Sequence, residues 1–103
     1  HDAVPAARLP WRKATAWAQG LEADGHRDFT LPDREDGRLL WVNAREQFDQ
    51  GEWYWLSVEK GSFAWYQDFS YGYQDFYHKS YEGSARAVRS FILQSFDPSG
   101  VAA

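Results

Sequence analysis

The side chains best suited to chemistry in this chain are its histidines and carboxylates, and their spacing argues against catalysis. The three histidines stand at His1, His26 and His78. None belongs to an HxH, HxxxH or HExxH pattern, so no zinc site is expected. His26 follows a candidate helix end, where a cation favours the helix dipole. His78 precedes Lys79, Ser80, Tyr81 and Glu82, which sketches a general base beside a hydroxyl. Consecutive residues rarely converge on one point, however, and polar junctions of this kind usually serve as caps. Asp68 and Asp75 would make a carboxylate pair only from one face, and the register derived below separates them. Gly61 and Gly72 read as turn glycines rather than a phosphate cradle, and no G-x-S-x-G elbow occurs. Cysteine is absent, which removes disulfides, thiolate metal sites and cysteine nucleophiles. The chain is therefore read as non-enzymatic, with no catalytic residue, metal or cofactor. A small enzyme centred on His78 is the weakest alternative.

Charge and composition narrow the partners. The formal net charge is -4, and Arg12-Lys13 is the single adjacent basic pair. Nucleic acids and anionic membranes demand a basic patch, so neither is expected as a partner. No apolar run has the length needed to span a bilayer. His1 to Pro5 lacks the basic start and apolar centre of an export signal; it reads as a remnant of tagging, a cleaved export signal or a cut domain boundary, with the first favoured, and a cytoplasmic location is favoured. Arg outnumbers Lys by 8 to 3, a hint of bacterial origin. At 103 residues the chain has room for one core. Aromatic residues form 18% of it and Met is absent, so Trp, Tyr and Phe must supply much of that core.

The elements that would position these side chains form an α+β domain over residues 10–97, with a flexible arm at 1–9 and a flexible tail at 98–103. Pro10 suits the start of a helix. Trp11, Ala14, Ala18 and Leu21 then share one face, and Gly25 caps the end, or Gly20 if the helix stops early. Asp28–Leu31 and Arg38–Val42 read as short strands flanking a polar turn. Two aromatic-rich strands follow, Glu52–Val58 and Phe63–Phe69, joined by a four-residue hairpin loop at 59–62. A three-residue loop at 70–72 leads into Tyr73–His78. The sheet would then have four to five antiparallel strands. A C-terminal helix presenting Ala85, Val88, Phe91, Ile92 and Phe96 would pack on one face.

Register turns the sheet into a functional expectation. Pairing Val58 with Phe63 and Phe69 with Tyr73 puts Tyr54, Leu56, Val58, Phe63, Trp65, Phe69, Tyr73 and Tyr77 on one face. That aliphatic-bearing face is the natural bed for the C-terminal helix. The opposite face carries Trp53, Trp55, Tyr66, Asp68, Phe76 and His78, and these six are the candidate binding residues. Left uncovered, they would bind, because a monomer seldom exposes so much contiguous apolar area. Covered by Trp11 and Trp17 of the N-terminal helix, they would be a second core layer. Glu52, Glu59, Asp68 and Asp75 outweigh Lys60 and Lys79 nearby, so the partner is expected to be another protein, of basic character, or a second copy. The function expected is that of a small inhibitor, immunity or accessory protein of bacterial or phage origin. A carbohydrate-binding domain using the same rings is the alternative.

Overall fold

A computed structural model describes residues 5, 7–23 and 25–89. Across those residues it is an α+β fold of two helices and one three-stranded antiparallel sheet. The elements are α1 (Trp11–Gln19), α2 (Arg34–Ala44), a single 3-10 turn (Arg45–Gln47), β1 (Trp53–Lys60), β2 (Phe63–Asp68) and β3 (Gln74–His78). The strands lie in the order β1-β2-β3. No helix among the described residues is long and apolar enough to cross a membrane.

Helix α1 follows from its spacing. Pro10 occupies the N-cap with extended backbone, and Trp11, Ala14 and Ala18 are buried one turn apart. The helix stops at Gly20, whose N–H donates to the Ala16 carbonyl at 3.0 Å. Gly25 serves a separate turn instead, at φ 79°, closed by paired backbone bonds between Ala23 and His26. The preceding arm makes its own contacts at the end nearest α1. Leu9 exchanges backbone bonds with Gly83, and its carbonyl accepts from the Trp55 indole at 2.9 Å.

Arg38–Val42, expected as a strand, lies inside α2. Its start is a capping box: the Asp33 carboxylate accepts the Asp36 N–H at 2.7 Å, and Asp36 accepts the Asp33 N–H at 3.3 Å. Gly37 is buried, Leu40, Trp41 and Ala44 are half-buried, and Leu39 and Val42 are exposed. That is a helical stripe, one turn apart, running through residues whose types favour strands. The backbone of Gly37 lies against Leu56 and Gln67, so α2 sits directly on the sheet.

The hairpins carry two corrections. Trp53, Tyr54 and Trp55 pair with Asp68, Gln67 and Tyr66, as the expected register requires. Beyond Trp55 the ladder shifts, and Lys60 pairs with Phe63. The loop is therefore only Gly61-Ser62, with Gly61 at φ 60°. Between β2 and β3 the register is one residue away from expectation, with Gln67 opposite Gln74 and Trp65 opposite Phe76. The cause is Asp68. Its carboxylate accepts from the backbone N–H groups of Ser70 at 3.0 Å, Tyr71 and Gly72 at 3.3 Å, drawing the chain into a wider turn than three residues allow. The slip transfers Phe76 and His78 to the opposite face of the sheet.

The chain after the sheet also departs from expectation. Residues 84–89 do not begin a helix. Trp55 N–H donates to the Ser84 carbonyl at 3.0 Å, and Val88 exchanges backbone bonds with Thr30 at 2.9 and 2.8 Å. The expected strand at 28–31 reduces to that bridge. Phe91, Ile92 and Phe96 of the expected C-terminal helix lie outside the described residues.

Two clusters hold the fold. The larger joins Trp11, Ala14 and Ala18 of α1 to Leu31, Trp55, Ala64, Tyr66, Ala85 and Ala87. The smaller places Phe48, Tyr54 and Phe69 beneath Leu40 and Trp41 of α2. Phe48 and Phe69 stack there with centroids 4.3 Å apart.

Candidate functional site

The expected binding face is the main core. Trp55 and Tyr66 are buried under α1, and Trp53 meets Trp55 edge-on at 5.0 Å. The small side chains of Ala14 and Ala18 let the helix approach this layer of large rings closely. Trp11 closes it, donating its indole N–H to the Leu56 carbonyl at 2.8 Å. Tyr66 lies against Tyr77 at 4.7 Å. Burial, then hydrogen bonds with the Tyr77 and Tyr73 hydroxyls, push the Tyr66 phenol above its ordinary range. Asp68 is buried and committed to the turn it caps.

Phe76 and His78 stand apart from those four residues. They share the opposite face with Phe63 and Trp65, the side expected to lie beneath a C-terminal helix. Helix α2 covers only part of that face, around Gln67, Leu56 and Tyr54. Beyond its first turn an aromatic ladder stays open among the described residues. Trp65 meets Phe76 edge-on at 5.2 Å, Phe76 meets Phe63 at 5.7 Å, and Phe63 meets the His78 ring at 5.6 Å. Phe63 is 41% exposed although fully apolar.

Two cations complete this surface, and neither was singled out from the sequence. The Arg34 guanidinium lies 3.7 Å from the Trp65 ring centroid, and the Lys60 ammonium 5.3 Å from that of Phe76. Arg34 is held there by a glutamine relay. It donates to Gln74 Oε1 at 2.8 Å, while Gln74 Nε2 donates to the Arg34 carbonyl at 2.8 Å and to Gln67 Oε1 at 2.9 Å. Gln67 is itself buried and donates to the Asp68 and Tyr73 carbonyls. Sequence offers no short-range signal for Arg34, because forty residues separate it from Gln74. Lys60 was expected in the hairpin loop at 59–62, and the shifted register is what draws it into β1 and over Phe76.

The acidic residues expected around the aromatics are engaged elsewhere. Glu52 pairs with Arg8 and accepts from Ser84. Glu59 pairs with the buried Lys79, which holds its carboxyl below the usual range. Asp75 projects from the other face of β3 and accepts the Phe76 N–H at 2.8 Å. Among the described residues, the charged groups placed over the ladder rings are Arg34 and Lys60.

His78 and Ser80 do meet. The Ser80 N–H donates to His78 Nδ1 at 3.2 Å, with Ser80 Oγ 2.8 Å from the same nitrogen. Both polar groups of a residue two positions on meet that one nitrogen, the geometry of a side-chain-capped turn. His26 is exposed in the Ala23–His26 turn. Among the described residues no three His, Asp or Glu side chains are grouped to hold a metal ion. No known protein family and no curated protein matches the chain in sequence.

Proposed function

We propose that this chain is a small non-enzymatic protein-binding module whose docking surface is the open ladder of Phe63, Trp65 and Phe76, bordered by Arg34, Lys60 and His78. The observation that carries the reading is Arg34 stacked on Trp65, with the exposed Phe63 beside it. Large rings and a pre-positioned guanidinium are the groups that dominate protein–protein hot spots. The glutamine relay holds Arg34 before any partner arrives, which lowers the entropy cost of docking. The cations favour a partner segment that offers carboxylates, in place of the basic partner that Glu52, Glu59, Asp68 and Asp75 suggested in the sequence. A pyranose would need a free flat ring face, and Arg34 occupies one side of Trp65.

Selection from a random-peptide display library tests this. Peptides rich in Asp or Glu beside an apolar anchor should be enriched on the wild-type chain. Phe63→Ala and Lys60→Glu should each lose them while keeping one cooperative thermal transition within about 8 °C of the wild-type midpoint. Enrichment of basic peptides, or equal capture by both variants, would overturn the reading.

A further inference from the structure

We infer that two copies of this chain associate by pairing their β3 strands edge to edge, antiparallel, about a two-fold axis at Phe76. The two edges of the sheet differ. Beside β1, the Trp55 N–H donates to the Ser84 carbonyl at 3.0 Å and the Ser57 N–H to the Pro32 carbonyl at 2.8 Å. Beside β3, among the described residues, the outward side carries one backbone bond, from the Tyr81 N–H to the His78 carbonyl at 3.1 Å, which leaves that oxygen a second lone pair. Its inward bonds fix which groups face out. Asp68 N–H donates to the Tyr73 carbonyl and Lys79 N–H to the Ser62 carbonyl. By alternation Tyr73, Asp75 and Tyr77 bond inward, and Gln74, Phe76 and His78 turn their backbone groups outward.

The edge is self-complementary in that register. With Phe76 opposite its own copy, Gln74 faces the second copy's His78 and Asp75 faces its Tyr77, so no like charges meet. The Phe63–Phe76 stripe then continues across the axis on one face. On the other face the half-exposed Tyr73 and Tyr81 flank the seam. Asp75 guards the edge, because its carboxylate already holds the Phe76 N–H that the second copy needs. Pairing requires that bond to be released, which keeps the association reversible and dependent on concentration. The pairing uses backbone groups of β3, whereas partner docking uses ring faces, so one can fail without the other.

Sedimentation equilibrium of the full chain, from micromolar to millimolar, tests the inference. Wild type should pass from its 12.0 kDa monomer to a species about twice that mass. Asp75→Ala should tighten the dimer about tenfold by freeing the N–H. His78→Pro, which deletes an outward N–H and leaves the bonds to β2 intact, should abolish the dimer with an unchanged circular dichroism spectrum. A second readout covers the case where that variant does not fold. The chain has no cysteine, and directly opposed residues of a hydrogen-bonded pair lie about 5.5 Å apart, within disulfide reach. Phe76→Cys should therefore cross-link on mild oxidation faster than Val42→Cys on exposed α2. Wild type and Asp75→Ala both monomeric at millimolar concentration, or Phe76→Cys no faster than Val42→Cys, would overturn the inference.

Discussion

The indole of Trp41 lies against the backbone of Gly72, so close that a Cβ on Gly72 would stand 2.3 Å from the ring. Gly72 also sits at φ 90°, a conformation that side chains resist. The contact locks α2 onto the β2–β3 turn, and that turn sets the register of β3. Gly72→Ala should cost about 2–4 kcal/mol from backbone strain and overpacking together. Urea denaturation followed by Trp fluorescence measures it. A loss below about 1 kcal/mol would mean that the turn and the helix are not coupled.

The two faces of the sheet should respond oppositely to truncation. Trp55 is wholly buried, and Trp55→Ala should destabilise by about 3–5 kcal/mol. Phe63, on the open ladder, should cost about 1 kcal/mol or less. Equilibrium unfolding of the two variants checks the pair. Equal losses would place Phe63 in the core and remove the docking surface.

Alkaline pH should weaken the fold through Tyr66. Its phenol is pushed above the ordinary value of 10.0 by burial first and by the Tyr77 and Tyr73 hydroxyls second. In the unfolded chain Tyr66 loses its proton near that ordinary value, whereas the folded chain retains it. The unfolded state then binds fewer protons, so stability is intact below about pH 10 and falls as pH climbs toward the folded pKa. Tyr54, raised by its own burial, acts in the same direction. The urea midpoint should drop between about pH 9 and pH 11, and Tyr66→Phe should flatten that drop in part. An unchanged pH profile in Tyr66→Phe would contradict the assignment.

Several features were legible in the chain before any tertiary contact. The spacing of Trp11, Ala14 and Ala18 specifies α1, because one-turn periodicity and a leading Pro10 leave few alternatives. Alternation in 53–58 and 63–68 specifies two strands and places Trp53, Trp55 and Tyr66 on one face, since the side-chain period of a strand is fixed. The absence of cysteine and of metal-ligand spacings bounds the chemistry in the same direct way.

Tertiary structure decided the rest. Residues 38–42 have strand-forming composition, yet they are helical because Asp33 and Asp36 cap one another and Gly37 allows close approach to Leu56. Asp68 widened the second turn by binding backbone N–H groups, and that single residue of register moved Phe76 and His78 across the sheet. Which face became core was settled by shape: α1 offers alanines to the Trp55/Tyr66 layer, whereas α2 ends its cover beside Trp65. Strand alternation fixes which residues share a face. It carries no information on which face a distant helix will cover, because that depends on contacts forty or more residues apart, such as Trp11 with Leu56.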